Sequence, residues 1–591
     1  MDNFAVRWIP ASFSLLFFLG LASCDASAIN WNPLDVPPAD STPPPEPTVT
    51  AAAVPPPAIS GGTMIVTHAG LAVAADPDRD CVWIVEPRTP AAQGKMRGKI
   101  PLPAGSEPGR LVEDATGRVH VALRGAGSVV TLDLAALAVT DTRSVCAAPR
   151  GLAYDAAADA VHVACARGDL VTLPAGGGAE TRRVYVDDDL RDVVLDGAQL
   201  WVSRFRSAEL LQLGPDGSIA LRLTPQIPAG STKAPAVAWR TIAVPGGGVA
   251  MLHQLAETGV VGANGFGSSY YESIIDTAVA FVRTQPGSAK PVLLDETSPF
   301  FGATLPVDLA SAPDGTSFSV AAPGSGVTLL LTGSPGNYAP GASVIVDPGC
   351  QPTAVAFDAA GDALVQSREP AMVAGVTLDA PSRKDTGHDL FHLRPDGTFN
   401  DLACASCHPE GGEDGRVWQF LKSGRRRTEA LGGGVMATAP FHWSGDLRDM
   451  SALMDEVLVV RMGANPVGPD HVKVLGRWLD ALPRPATRAL LAPDAADRGA
   501  ALFADPAVGC AGCHSGPHFT NNQTVDVGTG GKFQVPRLVG LGARAPYLHD
   551  GCAKTLRDRF TSKCGGGEAH GHTAQLTDAQ LDDLVTYLHT L

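Results

Sequence analysis

Basic side chains are the minority in this 591-residue chain: 45 Lys and Arg stand against 61 Asp and Glu, a formal net charge of −16. Proteins that track a phosphate backbone carry the opposite balance, so a general nucleic-acid role is excluded. Long apolar runs are also missing. The best of them, Phe13 to Leu21, is too short for a comfortable membrane span. Methionine is scarce, nine in all, and none follows Cys513. Glycine and proline, by contrast, are plentiful at 65 and 48, beside 45% hydrophobic residues, which describes a folded but heavily looped protein. The length exceeds what one core supports and predicts about three domains.

Residues 1–23 read as a lipoprotein-type signal peptide. The apolar run ends in Leu21-Ala22-Ser23-Cys24, a bacterial lipoprotein processing pattern that would leave Cys24 as the first mature residue, carrying lipid. An ordinary secretory signal is the alternative, because Arg7 is the only basic residue near the start. Either exports the chain, and the expected location is the periplasm of a Gram-negative bacterium, with membrane attachment only through the lipid at Cys24. Residues 24–62, with Pro43-Pro44-Pro45 and Pro55-Pro56-Pro57, are predicted to be an extended Pro/Ala-rich tether.

From 63 to 375 a blurred repeat runs as turn, alternating strand, Asp-rich turn, alternating strand. Pro149-Arg150-Gly151-Leu152-Ala153-Tyr154-Asp155 leads into Ala160-Val161-His162-Val163-Ala164, and Pro352-Thr353-Ala354-Val355-Ala356-Phe357-Asp358 leads into Ala363-Leu364-Val365. Val193-Val194-Leu195-Asp196 before Leu200-Trp201-Val202-Ser203 is a third copy. Spacings of about forty residues fit an all-β propeller of about seven blades, six and eight being open, with an insertion at 255–277 in the fifth. A two-sheet sandwich is the competing fold.

After 376 the pattern turns helical, and two segments carry the chemistry. Cys404-Ala-Ser-Cys407-His408 and Cys510-Ala-Gly-Cys513-His514 both read Cys-x-x-Cys-His. Two thiols at this spacing form thioethers to the two vinyl groups of one porphyrin, and the adjoining histidine lies under the iron. Incidental disulfides or a zinc site would leave both histidines unexplained. The surroundings are duplicated too. Gly387-His388-Asp389-Leu390-Phe391 precedes the first motif and Gly499-Ala500-Ala501-Leu502-Phe503 the second; Pro440 and Pro546 each follow 32 residues after the motif histidine. Leu475, Trp478, Leu479 and Leu482 close one unit as Leu584, Tyr587, Leu588 and Leu591 close the other, at helix-face spacing. Two all-α cytochrome c domains, 376–484 and 485–591, each with a covalent haem c, are therefore predicted.

With Val535-Pro536-Arg537-Leu538, Ala545-Pro546-Tyr547-Leu548-His549-Asp550-Gly551 and Phe441-His442-Trp443-Ser444-Gly445 added, the C-terminal third resembles the bacterial di-haem cytochrome c peroxidase/MauG superfamily. The resemblance implies an oxidoreductase acting on peroxide or another small-molecule substrate, fed by a protein electron-transfer partner. It makes Trp443 the candidate bridge between the haems, with a packing role as the alternative. It also exposes a departure: the peroxidases carry a glutamate just before a methionine, where this chain has Val460-Arg461-Met462, with Glu456 nearby. Arginine does not serve as a base at ordinary pH, although its charge polarises a bound oxygen.

Each iron needs a sixth ligand or an open position. Met462 is the candidate at the first haem, with Met436, Met450 and Met454 nearby. The second unit has no methionine after its motif, and His570 falls 24 residues after Pro546 where Met462 falls 22 after Pro440. A His514/His570 pair is expected, with His572 the rival and a surface Gly-rich loop the alternative. Arg425-Arg426-Arg427 are candidates for the haem propionates or for a solvated turn. Of the six cysteines outside the motifs and Cys24, Cys146–Cys165 and Cys552–Cys564 are the local pairs and Cys81–Cys350 the remaining one. A non-enzymatic carrier with both irons six-coordinate, or a redox-sensing module whose propeller binds a partner, are the other functions this sequence allows.

Overall fold

The computed structural model describes residues 48–226, 231–262, 265–267, 273–284, 291–334, 337–345, 350–398, 400–488, 492–561 and 563–591. The signal segment and Cys24 lie outside them.

Between Met64 and Thr377 the described residues form seven four-stranded antiparallel sheets, each made of strands consecutive in sequence apart from the fifth. The first strand of each sheet packs against the first strand of the next. The ring closes where Met64–Val66 meets Pro352–Phe357. This is a seven-bladed propeller. Closure is apolar and polar together. Met64, Trp83 and Val85 of the first blade share a cluster with Ala354, Leu364 and Val373 of the seventh, and the Gln366 amide donates to the Ala75 carbonyl at 2.8 Å.

The strand patterns follow from position in the blade. Second strands such as Val119–Leu123 and Ala160–Cys165 are buried along their whole length because neighbouring blades cover both faces. Outer strands such as Ala138–Ser144 alternate with solvent. The recurring aspartates close the first turn of their blades: Asp114, Asp155 and Asp358 each accept from an amide two residues on, at 2.9 Å.

Two expectations are corrected. Cys81 is a free, buried thiol inside the cluster between blades one and seven, whereas Cys350 packs on Met372 in another cluster, so the Cys81–Cys350 bridge is not formed. Cys146–Cys165 and Cys552–Cys564 are bonded. From residue 48 onward the Pro-rich segment is not a free tether but a strap. Thr50 and Ala52 donate to Thr386 and Asp385 at 2.9 Å. The Pro56 carbonyl accepts from Trp478 Nε1 at 2.8 Å. The Ile59 amide donates to His392 Nε2 at 3.2 Å, and the Ser60 and Gly61 carbonyls accept from Arg191 and Arg110 of the propeller.

The C-terminal part is two similar helical units. In each, an entering helix crosses a closing one: Thr386–His392 with Pro469–Ala481, then Pro493–Ala504 with Asp578–Leu588. The glycines of the duplicated motif explain themselves here. A Cβ on Gly387 would collide with the Val474 carbonyl, and one on Gly499 with that of Asp583. Gly499→Ala is expected to cost about 1–3 kcal/mol by overpacking, read as a lower unfolding midpoint of the last unit in a denaturant titration.

Candidate haem sites

Each unit encloses an apolar cavity beside its Cys-x-x-Cys-His segment. The second, 540 Å³, is lined by Cys510, Cys513, His514, His570, Leu584 and Leu588 among others. The first, 270 Å³, is lined by Cys404, Cys407, His408, Met450, Met454 and Met462. All four motif thiols are free, which excludes incidental disulfides. Among the described residues, no group of three or more His, Cys, Asp or Glu is placed to hold a metal ion by itself.

The histidines are held by one device. His514 Nδ1 bonds the Phe519 carbonyl at 3.0 Å, His570 Nδ1 the Gly565 carbonyl at 3.1 Å, and His408 Nδ1 the Gly412 carbonyl at 3.3 Å. A carbonyl fixes the proton on Nδ1 and leaves the Nε2 lone pair for a metal. Burial lowers the pKa of all three, that of His570 to about 3 with help from Arg559, so the rings are neutral. The His514 and His570 rings face each other with centroids 6.4 Å apart. An imidazole nitrogen sits about 2 Å from a bound transition metal and its ring centre about 1 Å further back, so two imidazoles flanking one metal have centres about 6 Å apart. His572 is exposed and lies 3.6 Å from Glu568.

Met462 is buried, 4% exposed, at the end of the π-helical turn Met454–Arg461 and lines the first cavity with Met450 and Met454. Arg461 also reaches this cavity, but Glu456 Oε1 accepts from its guanidinium at 2.9 and 3.0 Å. His442, which sequence reasoning left without a role, lines the same wall in a left-handed conformation, φ 65°; Leu548 takes the matching place in the second unit at φ 71°. Burial, then Arg461, holds the His442 imidazole below its ordinary pKa.

Trp443 lines both cavities. Its indole N–H donates to the Arg427 carbonyl at 2.8 Å, and its ring meets His549 edge-on at 6.3 Å. Arg427, Arg537 and Arg544 border both cavities as well. Glu413 anchors this group, pairing with Arg427 and, at 2.9 Å, with Arg206 of the propeller. Among the described residues Arg427 Nε and Arg537 Nη1 are buried with no hydrogen-bond partner, and Arg544 Nε has only the Glu413 carboxylate, at 3.8 Å. Buried guanidinium donors facing a cavity are what a haem's propionates require, so the residues present fit the group. Of the three candidate arginines Arg427 is buried and borders both cavities, Arg426 stacks over Phe533 and borders the first cavity with its Nε also buried and unpartnered, and Arg425 is exposed. Arg537 carried no signal beyond lying in a quoted motif, and Arg544, the residue before Ala545, carried none.

A second charged cluster joins the units. Glu410, two residues past His408, is left-handed (φ 54°) and buried against the innermost propeller strands. It pairs with Arg191 at 2.6 Å, with Arg124 at 3.1 Å and with Arg150. Ser60 of the strap donates to it as well. Burial alone would raise its pKa, but Arg150, Arg191 and Arg124 outweigh that and hold it well below the usual carboxylate range.

Residues 496–591 match the cytochrome c family. This C-terminal segment is a cytochrome c domain. Its cofactor is haem c, and Cys510, Cys513 and His514 are the residues that would hold it. Over 268 aligned residues the chain is 28% identical to the hydrazine synthase gamma subunit of Kuenenia stuttgartiensis, a match taking in 33% of this chain and 75% of that protein. In shape it is similar to Kuenenia stuttgartiensis hydrazine synthase, with 15% identity and TM-score 0.45 over 57% of this chain and 99% of that one. It is likewise similar to virginiamycin B lyase from Staphylococcus aureus, with 12% identity and TM-score 0.36 over 52% and 92%.

Proposed function

We propose that the chain is an exported di-haem c-type cytochrome that moves electrons between two covalent haems, in the manner of di-haem cytochrome c peroxidase/MauG oxidoreductases. The observation that carries this reading is the single wall between the cavities, with Trp443 in both. The duplicated unit around Cys404, Cys407 and His408 supports a second haem beside the one in the cytochrome c domain.

A covalent haem supplies one-electron redox chemistry and, where its sixth position is free, an iron for a small ligand. The protein divides these tasks. His514 and His570 would both hold the second group, which suits that site to storing or relaying an electron. Met462 lines the first site, where its thioether would be a weak, replaceable ligand that suits the site to peroxide or another substrate. Arg427, Arg537 and Arg544, which line both cavities, would hold the propionates of the bound groups. The propeller presents a rigid face to a protein electron donor or acceptor. The disulfides Cys146–Cys165 and Cys552–Cys564 accord with an oxidising compartment, here the periplasm, with lipid at Cys24 as the attachment to membrane.

A second reading, an electron carrier without catalysis, is favoured by Arg461. It stands where the peroxidases carry an acid, and Glu456 already engages its guanidinium. Mass spectrometry of protein from cells competent in cytochrome maturation is expected to show two added tetrapyrroles; one or none sinks the di-haem reading. Electron paramagnetic resonance separates the remaining two. Peroxide turnover with one haem becoming high-spin on half-reduction supports the oxidoreductase. Two low-spin haems inert to peroxide in every state leave the carrier.

A further inference from the structure

The fifth blade carries extra chain between Glu257 and Ile275 that leaves the propeller, and its described part grips the first cytochrome unit. Val260–Val261 pairs in parallel with Val417–Phe420. The Phe266 amide donates to the Arg461 carbonyl at 2.7 Å, and its ring lies 6.4 Å from that of Phe420. Gly265, at φ 116°, approaches the same Arg461 carbonyl so closely that a Cβ would collide with it. Asn400, 1% exposed, donates from its amide nitrogen to the Gly267 carbonyl at 3.1 Å and to the Met462 carbonyl at 3.2 Å. Two successive carbonyls, of Arg461 and Met462, are thus tied to the propeller, one directly and one through Asn400. Phe266 and Ile274 line the first cavity together with Met462.

We propose that this propeller insertion is part of the first haem site, with Phe266 and Asn400 as positioning residues that seat the Met462 turn and set how readily another ligand takes the sixth position of that iron. The inference rests on the reading of Met462 as the iron-facing thioether. The Met462 backbone cannot withdraw while both carbonyls stay bonded, which leaves only rotation of its side chain within the wall that Phe266 and Ile274 help to form; a competing ligand must otherwise work against the insertion. The matching position of the second unit is filled by His570, which no propeller segment is seen to hold among its described hydrogen bonds.

The test uses the full-length holoprotein, titrated in the ferric state with imidazole and followed by absorption and electron paramagnetic resonance. The signal of the His514/His570 haem serves as internal reference. Met462→Ala is expected to bind imidazole far more tightly at the first haem. Phe266→Ala and Asn400→Ala are expected to gain about tenfold, a shift of about 1.4 kcal/mol, with the reference signal unmoved and Phe266→Tyr restoring the native affinity. Native affinity in both Phe266→Ala and Asn400→Ala, beside a gain in Met462→Ala, overturns the role of the insertion and leaves Met462 as the ligand. No gain in Met462→Ala removes the ligand assignment and the inference with it.

Discussion

Glu410→Ala is expected to loosen the joint between propeller and first cytochrome unit by about 3–5 kcal/mol, the usual loss when one partner of a buried ion pair is removed. Arg124, Arg150 and Arg191 would then face one another without the carboxylate that gathers them. Glu410→Gln keeps the shape and isolates the charge. Equilibrium unfolding followed separately by tryptophan fluorescence and by haem absorbance is the measurement: coincident curves in the native protein should come apart in the variants. The sign of the pH dependence follows from the depressed carboxyl. Its stabilisation is complete above the ordinary carboxylate pKa and is lost as pH falls through the lower folded value. Glu410→Gln should lack that acid-side decline. Superimposable stability–pH curves would show that the cluster contributes nothing to the joint.

His570→Ala should convert the second haem from low-spin to high-spin, and added imidazole should restore the low-spin signal. This is the larger spectroscopic effect, since one of two haems changes state entirely. His572→Ala should leave the spectrum as it was, its ring being exposed beside Glu568. Imidazole affinity at this haem should rise by at least about tenfold in His570→Ala. An unchanged low-spin signal would strike His570 from the ligand set, and the 6.4 Å ring spacing would then be a packing contact.

Local pattern made much of this molecule readable before any coordinates. The aspartate turns mark the blades because an Asx turn is written within three residues. The glycines of the entering helices and the paired Cys-x-x-Cys-His segments are equally local. Cys146–Cys165 and Cys552–Cys564 close short stretches, 19 and 12 residues apart. What stayed hidden joins residues far apart in the chain. Glu410 meets its arginines across 219 to 286 residues, and nothing in Pro409-Glu410-Gly411 announces a socket. The strap escaped notice for a related reason: proline-rich chain looks solvated until a tryptophan and a histidine more than 300 residues away bond its carbonyls and amides. Cys81 was matched by elimination, and counting thiols says nothing of which cluster each one packs in. Arg537 and Arg544 are legible only as a pair of buried donors around a cavity, a property of the fold.

Strap, socket and blade insertion fasten the cytochrome half to the propeller on separate sides. Molecules that shuttle charge by swinging a tethered carrier between stations are slowed by thickened solvent, because their step is a diffusive search. Among the described residues no such arm is left to swing, and on the function proposed above the tempo of internal electron movement would belong to the fixed gap around Trp443 instead.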